Sequence, residues 1–220
     1  MVESLIAQAR AFLADPGFDW YICGGGAIDV FLGKPTRIHK DLDIAVFWED
    51  RNAIIAFMLA TGWRVLEACG GGVVRELFEV QPLAEKRNLF CFTSKEDRCT
   101  LDPIGDGTYR FGLEKKEQRD FTYIEYLFNQ RDDHDLYLPG NANLKRKLNQ
   151  ALLECGGVPY LAPEVVLYYK ARYLEYSPEP FDHYQDFNIS LPVLEEEQKR
   201  WLRNSLEREY ADGHEWLERL

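Results

Sequence analysis

Residues Tyr21-Ile22-Cys23 followed by Gly24-Gly25-Gly26 read as a short buried strand that stops at a glycine corner. Without Cβ atoms, the backbone at such a corner can approach a ligand closely. Ala27 to Leu32 has helical composition, so the free N–H groups and positive dipole end of that helix face back toward the glycines, an arrangement suited to phosphate oxygens. The chain then passes through Thr36-Arg37-Ile38-His39-Lys40 into Asp41-Leu42-Asp43-Ile44-Ala45-Val46-Phe47, which reads as a second strand. Side chains at i and i+2 share a strand face, so Asp41 and Asp43 point one way while Leu42 and Ile44 enter the core. Adjacent carboxylates raise each other's pKa unless a cation lies between them. Mg2+ commonly takes one or two carboxylates together with substrate phosphates. A phosphate cradle followed by an acid-bearing strand points to metal-assisted nucleotidyl transfer. A guanidinium such as that of Arg37 is a natural bidentate partner for a triphosphate. His39 is either a loop histidine that packs or caps, or a contact to phosphate or substrate.

These residues resemble the nucleotidyltransferase superfamily that shares the polymerase-β palm. They are closest to its aminoglycoside-2''-adenylyltransferase-like and lincosamide nucleotidyltransferase-like branch. The resemblance rests on Gly24-Gly25, Ala27-Ile28-Asp29, Gly33 and Thr36-Arg37-Ile38-His39-Lys40-Asp41-Leu42-Asp43. A second block is Pro159 to Arg172, with Asp186-Phe187 and Trp201-Leu202-Arg203. The likeness covers both ends of the chain and is weak in the middle. This chain has Gly26 where the family usually has a large residue after the glycine pair. The resemblance implies an ATP or other NTP co-substrate, two Mg2+ ions and a third acidic residue on a neighbouring strand. Glu125, inside the aromatic and β-branched run Phe121 to Phe128, is the candidate for that acid, with Glu79 and Asp102 as fallbacks. Burying a lone carboxylate costs several kcal/mol unless it is paired or metal-bound; the alternative for Glu125 is the exposed face of an edge strand. Lys170, among apolar residues of a helix, either snorkels to solvent or, as the resemblance implies, reaches a nucleotide phosphate.

The chain carries 37 acidic against 26 basic residues, a formal net charge of -11. That balance argues against wrapping a nucleic-acid backbone, which needs clustered Lys and Arg. It suits a small acceptor, cationic ones included. Twelve acidic and five basic residues lie from Tyr173 onward, so an acidic lobe could attract a polyamine, or simply be an ordinary soluble surface. No apolar run reaches membrane-spanning length and the N-terminus is not shaped like a signal peptide, so a cytoplasmic protein is expected. The five cysteines have no Cys-x-x-Cys spacing and read as reduced thiols.

Elsewhere, helices are expected over 2–14 and 49–60, strands over 63–66, 76–80 and 88–93, and turns at Gly70-Gly71-Gly72, Asp102-Pro103 and Gly105-Asp106-Gly107. The segment 67–119 carries no legible chemistry. Near Gly156-Gly157 the composition shifts toward helix, over 164–175, 194–210 and 215–220, with a turn at Ser177-Pro178-Glu179-Pro180. The expected fold is α+β: a nucleotidyltransferase domain over 1–156 with a small mixed sheet flanked by helices, then a helical C-terminal domain over 157–220. The expected function is Mg2+-dependent transfer of AMP or another NMP to a hydroxyl of a small molecule, an aminoglycoside- or lincosamide-like acceptor, with release of pyrophosphate. Asp41, Asp43 and Glu125 would be catalytic and metal-binding, and Gly24, Gly25, Arg37, His39 and Lys170 nucleotide-binding. The alternative is a nucleotide-binding regulator, antitoxin-like, with the same fold and little turnover.

Overall fold

The computed structural model describes residues 4–82, 86–114, 116–140, 142–174 and 180–220. In chain order the elements are α1 (Leu5–Phe12), β1 (Tyr21–Ile22), α2 (Gly24–Leu32), β2 (Asp43–Phe47), α3 (Arg51–Ala60), β3 (Arg64–Gly70), β4 (Val73–Leu77), β5 (Leu89–Phe92), β6 (Cys99–Gly105), β7 (Thr108–Leu113) and β8 (Tyr123–Arg131). They continue as β9 (Asp135–Tyr137), β10 (Lys145–Lys147), α4 (Leu148–Ala151), β11 (Leu152–Cys155), β12 (Val158–Leu161), α5 (Pro163–Tyr173), α6 (Pro180–Ser190) and α7 (Glu196–Glu209). The α+β expectation holds. Contacts divide the chain into two units, one running to Ile22 and then over Arg37–Asn129, the other made of Cys23–Thr36 and Gln130–Leu220.

In the first unit the sheet runs β1-β2-β8-β5-β3-β4-β7-β6, with β2 and β8 parallel. Helices α1 and α3 cover one face. Tyr126 on β8 reaches α3, its hydroxyl 3.2 Å from the Met58 sulfur, and Phe12 of α1 packs against Phe57, Trp63 and Phe121. Ile44 and Val46 of β2 and Ile54, Ile55 and Met58 of α3 are fully buried in this layer, and Ala45 and Phe47, on the opposite face of β2, are buried as well. The segment 67–119, which carries no legible chemistry in sequence, supplies the far half of the sheet. There β7 lies beyond β5, β3 and β4 from β8, yet Phe111 on β7 stacks on Tyr123 of β8 and on Phe90 of β5. The sheet therefore coils over itself and encloses a second core of Leu66, Val74, Phe92 and Tyr123, with Phe90, Leu101, Tyr109 and Phe111 packed on it.

Several expectations need correction. The strand placed over 76–80 is β4, and it starts at Val73 because the β3–β4 hairpin pairs directly after the glycine turn; Phe78 and Val80 are exposed beyond its end. Asp102-Pro103 lies within β6 instead of forming a turn; β6 ends the sheet order in this unit, where a residue without an N–H is tolerated. The first helix starts after Ser4, whose hydroxyl accepts from the Ala7 amide, and Val2 lies outside the described residues.

In the second unit α2 packs on α5 and α6, and α5 packs on α6 and α7. Gly156 and Gly157, expected at a domain boundary, form the turn of the β11–β12 hairpin, where Cys155 pairs with Val158. The composition shift there marks where strands give way to the helices that start at Pro163. The expected turn at Ser177-Pro178-Glu179 lies outside the described residues, and the run after Pro180 is helical, as α6. A buried ion-pair network ties these elements together. Arg146 on β10 donates from Nε and Nη2 to Glu164 of α5 at 3.1 and 2.6 Å and from Nη1 and Nη2 to Glu197 of α7 at 2.7 Å each, and Gln198 donates to the other Glu164 oxygen.

Breaking a buried pair strands the remaining charge, at a cost of roughly 3–5 kcal/mol. Arg146→Met should therefore lower the unfolding free energy in urea by about that amount, while Arg64→Met, which loses a half-exposed pair with Glu76, should lower it by ~1 kcal/mol or less.

Candidate functional site

The parallel register of β2 and β8 places Asp43 directly beside Glu125. Paired residues of a ladder share a sheet face, and here it is the face opposite α3, because the neighbouring Tyr126 reaches that helix. Asp41 precedes the strand, and its charge acts on Glu125. Asp43 and Glu125 are therefore side by side on one face of the first unit, and Asp41 lies near enough for its charge to act on Glu125. Glu125 is not on an edge strand, since β8 is flanked by β2 and β5. The fallback acids Glu79 and Asp102 are both exposed.

Burial, then the Asp41 charge, pushes the Glu125 carboxyl up to about 7, against a hydrogen bond from the Tyr123 hydroxyl at 2.7 Å that favours the ionised form. Tyr123 is fully buried, and its own phenol is held well above the usual range by burial and by the Glu125 charge. Sequence reasoning missed Tyr123, although its place two residues before Glu125 puts it on the same strand face. The coil of β6 and β7 over β8 is what encloses this carboxylate, and Cys99 on β6 lies within the field of Glu125.

Arg37 and His39 lie on the half-buried loop that leads to Asp41; Arg37 Nη1 donates to the Ile38 carbonyl at 3.3 Å, and the His39 carbonyl accepts from the Gln118 amide at 3.0 Å. Gly24, Gly25 and Lys170 belong to the second unit. The three glycines are the first turn of α2 itself, not a corner before it, and Gly24 has φ +58°, which only glycine adopts without strain. The first bond of the helix ladder runs from the Ala27 amide to the Cys23 carbonyl, so the amides of Gly24 to Gly26 are not consumed by the helix. Asp29, a motif residue given no role from sequence, accepts from the Thr36 amide and hydroxyl at 2.9 and 2.5 Å and so closes the loop that follows α2. Lys170 is buried and does not snorkel; its ammonium lies 2.7 Å from Asp186 of α6.

Among the described residues, no three His, Cys, Asp or Glu side chains form a ready-made metal cage. Mg2+ does not require one, because substrate phosphates and water complete its shell. The donors on this face are hard carboxylate oxygens whose mutual repulsion a divalent cation would relieve, so the residues fit such an ion.

A carboxyl whose folded pKa lies above its unfolded value binds its proton more tightly when folded, and that contribution to stability is lost as pH rises. In EDTA the unfolding free energy should fall between about pH 4.5 and pH 7 by at most roughly 3 kcal/mol. Glu125→Gln should flatten this fall, and Mg2+ above pH 7 should raise the melting temperature of the wild type more than that of the variant.

Residues 5–69 match the family model of aminoglycoside-2''-adenylyltransferase. A 2''-aminoglycoside nucleotidyltransferase from Klebsiella pneumoniae is 35% identical over 74 residues, and one from Escherichia coli is 34% identical over the same length. These matches span 34% of this chain and 42% of each relative. The solution structure of the antibiotic-resistance factor ANT(2'')-Ia aligns with a TM-score of 0.53 at 17% identity, covering 94% of this chain and 91% of that one. The lincomycin-bound lincosamide adenylyltransferase LnuA aligns with a TM-score of 0.53 at 14% identity, covering 86% and 96%. Over its first third, then, the chain resembles the aminoglycoside-2''-adenylyltransferase family in sequence, and over most of its length it shares the nucleotidyltransferase fold.

Proposed function

We propose that this protein transfers a nucleoside monophosphate, AMP from ATP in the first instance, to a hydroxyl of a small-molecule acceptor and releases pyrophosphate. The observation that carries this is the pairing of Asp43 with Glu125 on one sheet face, with the charge of Asp41 acting on Glu125 and the Glu125 carboxyl raised to about 7. A base with a pKa near the working pH suits removal of a proton from a hydroxyl.

In this scheme the acceptor oxygen forms a bond to the α-phosphorus as the bond to the pyrophosphate oxygen breaks, and the hydroxyl proton passes to Glu125. Divalent ions, two Mg2+ by the family pattern, would supply charge neutralisation at the α-phosphate and leaving group when bound. Asp41 and Asp43 would hold them, and Glu125 would either complete the ligand set or act as base. The unconsumed amides of α2, at Gly24 and Gly25, suit the β- and γ-phosphates. Arg37 is assigned to the triphosphate and His39 to phosphate or substrate. Lys170 is assigned to the nucleotide through its place in the motif, with Asp186 fixing its ammonium. Acceptors of the aminoglycoside or lincosamide kind are favoured because structural neighbours were solved with adenylyl-2''-tobramycin and with lincomycin. The acidic balance of the chain suits a cationic acceptor.

The test is pyrophosphate release with ATP and Mg2+ across an aminoglycoside and lincosamide panel. Acceptor-dependent release is expected. A protein that binds nucleotide yet releases none with any member would be the regulator and not the enzyme. Asp41→Asn should fold as the wild type and fall to background, and retained turnover in that variant refutes the site. Glu125→Gln should lose roughly 10²- to 10⁴-fold in kcat if Glu125 is the base.

A further inference from the structure

Asp41 stands outside the strand that carries Asp43. The ladder between β2 and β8 starts at the Asp43–Glu125 pair, with one further bond from the Glu125 amide to the Leu42 carbonyl at 3.0 Å. Sheet pairing therefore sets Asp43 against Glu125 but leaves Asp41 to be placed by other means. It also has to be placed against repulsion, because its charge and that of Glu125 oppose each other.

The two peptides just before Asp41 are both held by a segment outside the matched residues 5–69. The Lys40 carbonyl accepts from Arg98 Nη1 at 2.6 Å, and the His39 carbonyl accepts from the Gln118 amide at 3.0 Å. Arg98 is only 6% exposed. Its Nε and Nη2 donate to the two oxygens of Glu96 at 2.8 and 2.6 Å, and its Nη1 also reaches the Lys116 carbonyl at 3.2 Å. Glu96 accepts in turn from the Thr122 hydroxyl at 2.7 Å, at the foot of β8, and the Arg98 guanidinium lies over the Tyr123 ring at 6.0 Å. Gln118 closes the same gap by a second route, its side-chain amide donating to the Tyr123 carbonyl at 2.8 Å. A continuous chain of bonds thus runs from the peptide before Asp41, through Arg98 and Glu96, to the residues just before Glu125.

We propose that Arg98 is a positioning residue, its guanidinium pinning the Asp41 loop to the strand of Glu125 so that Asp41 stays near Asp43 and Glu125, where a divalent cation would bind. This rests on the metal-dependent transfer proposed above and extends it to a residue that touches neither ion nor substrate. The role calls for a planar fork that serves a carboxylate on one side and two carbonyls on the other, which an ammonium cannot reproduce.

The test is Mn2+ binding to the full chain, without nucleotide, followed by electron paramagnetic resonance. Wild type, Asp41→Asn, Arg98→Met, Arg98→Lys and Arg51→Met are compared, with melting temperatures measured in parallel. Arg51→Met breaks a buried pair with Glu67 elsewhere in the same unit and controls for lost stability. Arg98→Met should weaken Mn2+ binding roughly 10- to 100-fold, the range for residues that orient ligands. Arg98→Lys, which keeps a positive charge beside Glu96 and so protects the fold, should still lose roughly 10-fold. Arg51→Met should stay within about twofold of the wild type despite a lower melting temperature. Wild-type affinity in both Arg98 variants, or an equal loss in Arg51→Met, overturns the proposal. Equal binding by wild type and Asp41→Asn instead overturns the metal site itself, and the role of Arg98 with it.

Discussion

The parallel pairing of β2 with β8 sets Asp43 against Glu125, and much else in the first unit serves to enclose Glu125 and to hold the loop that carries Asp41. Burial first, and then the charge of Asp41, push the Glu125 carboxyl up to about 7. A fold selected for stability alone would have placed an apolar residue at this half-buried register position. Keeping an acid there is sensible if a cation and a triphosphate arrive to complete the electrostatics.

The β3-to-β7 portion gives the acids their enclosure. Because the sheet coils until Phe111 stacks on Tyr123, the β6–β7 hairpin closes over the side of β8 that carries Glu125. The same region supplies Arg98, Glu96 and Gln118, which hold the loop leading to Asp41. An apolar core and a polar network thus act on one strand from the same segment, the first by desolvating Glu125 and the second by limiting where Asp41 can go.

In the second unit, polar pairing settles elements whose sequence patterns are ambiguous. The Asp29–Thr36 hydrogen bonds close the loop after α2, so part of the family motif has a structural task. Lys170 and Asp186 satisfy each other across α5 and α6, which explains how a lysine can lie among apolar residues without reaching solvent. Arg146 and Glu164 do the same between β10 and α5.

From the residues alone one could read the α+β class, a glycine turn leading into a helix and an acid-bearing strand after it, because these depend on local periodicity and on glycine's backbone freedom; that the helix already starts at Gly24 and that the strand leaves Asp41 outside were not legible. Glu125 was recoverable as an isolated acid in an apolar run. Its partner was not, since strand register joins residues 82 positions apart in a parallel pair that no local pattern encodes. The turn expected at Asp102-Pro103 failed for the related reason that an edge position, which tolerates proline, is defined by the sheet and not by the dipeptide. The enclosure by β6 and β7, the Tyr123 hydrogen bond, the Arg98 network and the pairing of Lys170 likewise arise from contacts between distant segments. Local chemistry named the acids, and long-range packing decided which of them share a face and how strongly each feels the others.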